Sequence, residues 1–176
     1  MIPFLEDSNA GGVKFLQICR HDLIDWSSFP KQVNGNIANP IPLLPGGTWE
    51  RINFPPKFTG YKEEKQDHRG FLGHTEFIIP RSRPYILDWF ENRENFRYLM
   101  MVRNWNEDTY LVGRKEEPVK LNMIMRDTGN QPTARNGFTV ELNCKLARRS
   151  PFFQYSTSVA FVDFLLADFF AQDFYV

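Results

Sequence analysis

F-R-Y-L-M-M-V-R-N (96–104), T-Y-L-V-G-R (109–114), P-V-K-L-N-M-I-M-R-D-T-G (118–129) and R-N-G-F-T-V-E-L-N-C-K-L (135–146) form one block of four strand-like runs. In the last run Phe138, Val140, Leu142 and Cys144 alternate with Thr139, Glu141, Asn143 and Lys145. That period of two belongs to an antiparallel strand with one buried face. Val119, Leu121, Met123 and Met125 alternate in the same way with Lys120, Asn122, Ile124 and Arg126. Asn and Asp in N-W-N-E-D (104–108) and in D-T-G-N-Q-P-T-A-R-N-G (127–137) supply turn chemistry, and Gly113 stops the second run. The block holds no nucleophile pair, metal cluster or phosphate loop, so it specifies a scaffold rather than a reaction.

Working outward, V-K-F-L-Q-I-C-R-H-D-L (13–23) is a strand whose two faces are both partly apolar, which predicts a central strand or one covered on both sides. Residues 25–47 carry four prolines, three asparagines and three glycines. They read as a long loop that orders against a partner or serves a function. Trp26 and Phe29 anchor its start, and Leu43 and Leu44 its end. Strands are expected over 48–58 and 70–80, with a charged, solvated hairpin tip at 59–69. P-Y-I-L-D-W-F-E-N-R-E (84–94) predicts the one helix, with proline in its first turn. Its stripe is Ile86, Leu87, Trp89 and Phe90, with Asp88, Glu91 and Arg93 facing out. From Val159 to Ala171 the chain is apolar almost all round, as in a helix buried against its own domain or a neighbour. The fold class is therefore mainly β (α+β): an antiparallel β-sandwich or barrel with one short flanking helix. The division is an arm at 1–11, a β-rich domain at 12–149 and an apolar C-terminal arm or helix at 150–176.

Lys plus Arg total 21 and Asp plus Glu total 21, so the chain lacks the basic footprint of a nucleic-acid binder. Zero net charge also removes long-range self-repulsion and favours self-association. Seventeen phenylalanines suffice for a core and leave aromatic surface for interfaces. The most apolar stretch, 159–175, is interrupted by Asp163, Asp168 and Asp173, which argues against a membrane span. Cys19 and Cys144 read as buried thiols in a reducing compartment, with a single inter-strand disulfide as the alternative.

Catalytic patterns are weak. Asp67, His68, His74 and Glu76 are of metal-ligand type but lack metal-site spacing, so no metal or cofactor is expected. Cys19 and His21 share a strand face with nothing to orient them, and no G-x-S-x-G elbow or glycine-rich phosphate loop occurs. No catalytic residue is assigned. The basic P-R-S-R-P (80–84) is a solvated helix entry or a subunit contact. The candidate subunit interface comprises Arg81, Arg83, Arg148 and Arg149 facing Asp163 and Asp168, together with Phe161, Phe164, Phe169 and Phe170.

The order strand, short helix, strand ending in V-R-N, then Y-L-V-G, T-G, N-G-F and P-F-F-Q-Y across 70–153 resembles virion structural proteins of bacteriophage tails and head–tail connectors. The similarity is to tail-tube and tail-terminator proteins, in particular those of phages of Bacteroidetes hosts. It implies a non-enzymatic subunit in the virion, made in the host cytoplasm. Such subunits form rings, often six-fold, around a DNA channel that DNA passes without specific binding. It implies homo-oligomeric contacts and other tail or connector proteins as partners, with no membrane. The alternative is a monomeric β-sandwich that binds carbohydrate or protein on a platform of Trp26, Trp49 and Trp105.

Overall fold

The computed structural model describes residues 12–38, 40–54, 59–66, 70–80, 84–127, 137–154 and 161–163. In chain order the strands are β1 (Val13–Arg20), β2 (Asn36–Ile37), β3 (Trp49–Asn53), β4 (Gly60–Gln66), β5 (Gly70–Pro80) and β6 (Arg97–Asn104), with helix α1 (Pro84–Glu91) before β6. They continue as β7 (Thr109–Val112), β8 (Val119–Asp127), β9 (Gly137–Leu146), β10 (Phe152–Phe153) and β11 (Phe161–Asp163). One curled, half-barrel sheet runs β11-β3-β1-β6-β8-β9-β5-β4, and β7, β10 and β2 branch from β6. The four runs of the opening block are β6, β7, β8 and β9. The Asn104–Asp108 turn closes as its composition predicts: the Asp108 amide donates to Asn104 Oδ1 at 2.8 Å, and Glu107 takes a left-handed φ of 67°.

The inside of the curl holds the main core. Leu16 and Ile18 of β1, Tyr98, Met100 and Val102 of β6, and Val140 and Leu142 of β9 are all buried there. Helix α1 closes it with Ile86, Trp89 and Phe90; Phe90 stands 6.4 Å from Phe138 and 4.8 Å from Trp89 between ring centroids. A helix of eight residues is too short to persist alone, so this packing supports it. Arg93 does not face out as expected. Its guanidinium grips the Glu50 carboxylate of β3 at 3.0–3.3 Å and lies over Trp89 at 4.6 Å. Tyr98 donates its hydroxyl to the Arg93 carbonyl at 2.8 Å, which ties the end of the helix to β6.

A second core lies on the other face of β1 and β6. Cys19, Trp49, Leu99, Met101 and Leu111 form its floor, and Ile24, Ile37, Ile41 and Phe153 its cover. β1 is thus covered on both sides, as its two apolar faces predict. The loop 25–47 supplies that cover, so it completes its own domain instead of waiting for a partner. The Asp25 amide donates to the Pro42 carbonyl and the Leu44 amide to the Leu23 carbonyl, at 3.0 and 2.9 Å. β2 pairs in parallel with β10, which also pairs with β7. Trp26, Phe29 and Leu43 pack against this core as anchors, while Leu44 is exposed.

Two further expectations change. Residues 60–66 of the solvated tip form a full edge strand along β5. In the C-terminal segment, 161–163 are strand rather than helix, pairing in parallel with Trp49–Arg51. The open side of β3 offers backbone donors and acceptors, and F-V-D suits a strand as well as a helix. Phe153 is buried, so the sheet continues past residue 149.

Gly70 begins β5 with φ +88°, and a Cβ there would lie 2.2 Å from the Leu146 carbonyl oxygen. Gly70→Ala is expected to cost about 1–3 kcal/mol, read as a lower urea midpoint. Gly60→Ala, where a Cβ meets nothing within 4 Å, is the matched control and should change little.

Candidate functional site

A concavity that joins aromatic and charged side chains lies where the loop after β1 meets the β7–β8 turn. Asp25 starts that loop by accepting from the Ser27 amide and hydroxyl at 3.0 and 2.5 Å. These bonds, with a further one from Ser28, hold its carboxyl below the usual carboxylate range. The turn sets Trp26, whose indole N–H donates to the His21 carbonyl at 3.0 Å. The Trp26 ring lies 4.8 Å from Phe29, stacked, and 4.7 Å from His21. His21 Nε2 in turn meets the Arg114 carbonyl at 3.1 Å and fastens loop to turn.

On the far side Gly113, with φ +102°, leads into a tight turn closed by Arg114 and Glu117, each amide donating to the other's carbonyl at 3.0 and 3.2 Å. Glu117 Oε1 accepts the Ala147 amide at 2.7 Å, so the end of β9 braces the turn. The pocket between the walls has a volume of about 270 Å³. Trp26, Phe29, Pro30, Ile37 and Pro151 supply its apolar lining, and Gln32, Arg114, Lys115 and Glu116 its polar and charged lining. Arg114 Nε lies 3.9 Å from Glu117 Oε2, while its Nη2 is buried and has no hydrogen-bond partner. Arg114 and Lys115 were not among the residues singled out from sequence. Their meeting with Trp26 depends on contacts more than eighty positions apart, for which R-K-E-E carries no local signal.

The residues that were singled out scatter. Arg148 and Arg149 are exposed after β9, with Arg149 lying 5.2 Å over the Phe71 ring. Phe161 and Asp163 lie in β11 at the opposite edge of the sheet. Arg81, Arg83, Phe164, Asp168, Phe169 and Phe170 lie outside the described residues. The tryptophan platform does not form, because Trp49 is buried in the second core and Trp105 stands at the β6–β7 turn under the Lys14 ammonium. Lys14 and Arg103 both bind Glu107 beside it and hold that carboxyl below its ordinary range.

His74 Nδ1 is 3.1 Å from Glu141 on the outer face of β5 and β9, where Glu76 and Glu141 are register partners. His68 and Asp67 lie outside the described residues, and among those described no three metal-ligating groups converge. Cys19 and Cys144 are both free and buried, in different cores, so the disulfide alternative does not form. Burial pushes both thiols up to about 12. Gln17 is wholly buried beside its register partner Met101, and both its amide atoms lack hydrogen-bond partners.

Comparison with protein-family models, with curated proteins and with solved structures returns no match.

Gln17→Met removes two orphaned polar atoms at nearly constant volume and is expected to stabilise the fold by about 1–3 kcal/mol, read as a higher urea midpoint. Both thiols keep their protons in the folded chain to a higher pH than in the unfolded chain. The unfolded state therefore loses protons first, and stability should be intact below about pH 9 and fall from 9 towards 12. Unfolding midpoints measured across that window should fall less steeply in the double variant Cys19→Ala, Cys144→Ala, with the remaining slope above pH 10 due to Tyr61 and Tyr98, whose hydroxyls burial also pushes up.

Proposed function

We propose that the chain is a non-enzymatic virion structural protein that assembles into a ring or tube in a phage tail or head–tail connector. What carries the reading is the open sheet. Eight strands run edge to edge along one curled path, which ends in β4 on one side and in β11 beside β3 on the other. A closed barrel would have no edges; among the described residues this path keeps two, and an unpaired edge is a template for another strand. Because the two edges differ, copies joined edge to edge make a heterologous contact, the kind that closes into rings. β4 is long for an edge, and Lys62, Glu63, Glu64 and Lys65 give it both signs of charge. Mixed charge opposes indiscriminate pairing and admits a partner of matching pattern. The balanced total charge suits a channel along which DNA slides, since clustered cations would hold the phosphates.

The rival reading, a monomeric binding module for carbohydrate or protein, now rests on the Trp26 pocket alone.

Purified protein should run as a multi-subunit species on sizing and show rings by electron microscopy. The double reversal Lys62→Glu, Lys65→Glu should reduce that species at least several-fold while the circular dichroism spectrum stays unchanged. A wild-type protein that remains monomeric at high concentration and low salt refutes the assembly.

A further inference from the structure

Edge-to-edge pairing leaves the Trp26 pocket unused, and its chemistry is specific enough to name an occupant. At about 270 Å³ it falls just under the roughly 300–1,000 Å³ of small-molecule and cofactor sites. It has room for a side chain rather than a nucleotide. Phe29 stacks on the Trp26 ring and His21 packs tilted against it, which takes up ring surface on which a sugar would stack. Trp26, Phe29, Pro30 and Pro151 make a lining that suits a phenyl or phenol group. The charged lining includes Arg114, with its buried and unpartnered Nη2, and Lys115, which is exposed. A guanidinium with an N–H still lacking an acceptor is stabilised by an incoming carboxylate. Glu116 on the same turn repels a second carboxylate and biases an acidic ligand towards Arg114.

The fitting ligand is therefore a peptide with an aromatic anchor next to an acidic residue. The chain itself contains such a peptide: residues 164–176, F-L-L-A-D-F-F-A-Q-D-F-Y-V, with five aromatics, two aspartates and no lysine or arginine. We infer that the pocket receives one aromatic side chain of the 164–176 segment of a second copy, with Asp168 or Asp173 meeting Arg114 and Lys115. This deepens the assembly reading and rests on it: edges set neighbours side by side, and the pocket latches them.

The test is a cross-link between full-length chains. Lys115→Cys protein is mixed with Asp168→Cys or Asp173→Cys protein, oxidised, and run on a non-reducing gel. Cys19 and Cys144 are buried and stay in place. At least one mixture should give a covalent dimer several-fold above that formed by Lys145→Cys protein, whose site is exposed on the outer face of β9 away from both edges, with the same partners. Yields no higher than this control overturn the inference. So does closure within one chain, seen as a monomeric cross-linked band when both cysteines are placed on the same dilute polypeptide. Sizing of the wild type separates the two readings: an oligomer without the cross-link removes the pocket latch alone, while a monomer removes the assembly reading and this inference with it.

Discussion

Val13–Arg20 is paired along its length with Arg97–Asn104, and that register sets the rest of the structure. Leu16 and Ile18 face the main core, and Cys19 faces the second. A slip of one residue would exchange the two sets and bring Gln17 into the main core. No polar face exists on which a slipped β1 could lie, because both sides are closed, one by α1 with the curled sheet and the other by the 25–47 loop. The bulge after Val13 localises the one irregularity at the strand's start. Both cores are therefore conditional on a single ladder, and the pocket is too, since one of its walls is the loop that covers β1.

Much of this was legible in the sequence. The alternation of Phe138 to Lys145 and of Val119 to Met123 marked β9 and β8 because a half-buried strand has no other way to satisfy its two faces. Pro84 and the Ile86, Trp89, Phe90 stripe marked the helix. The mixed faces of Val13–Leu23 announced a central or doubly covered strand but not what covers it. Ile37 and Ile41 are isolated apolar residues among prolines and asparagines, and only their distance from β1 in space makes them a core. Arg93 followed the helical wheel outward until Glu50, forty-three positions away, offered a carboxylate. F-V-D at 161–163 is locally ambiguous, and the open side of β3 decides it. The Trp26 pocket was illegible for the same reason: an aromatic on one loop and a guanidinium on another carry no shared period.

Polar groups are distributed with a matching logic. The outer face of β4, β5 and β9 carries Lys62, Glu64, His74, Glu76, Glu141 and Lys145, which stay solvated and pair locally. The second core tolerates Gln17 without a partner. The free edges, the mixed charge on β4 and the basic turn at Arg114–Lys115 all lie on the periphery of a rigid interior. Substitutions there can thus change the surface chemistry without disturbing either core.

β10 has a consequence for synthesis. Its two residues clamp β2 in parallel and β7 in antiparallel fashion, and Phe153 is buried among Ile37, Leu111 and Trp49. A chain emerging from the ribosome presents Cys19, Ile24, Ile37 and Ile41 first, and β6 must arrive before β1 gains its central partner. The apolar face then waits for about fifty more residues before Phe153 can seal it. During that interval Trp49, Leu99 and Met101 lack their final cover. Translation order therefore delivers this cover late, and among the described strands only β11, which joins β3 at the sheet edge, follows it.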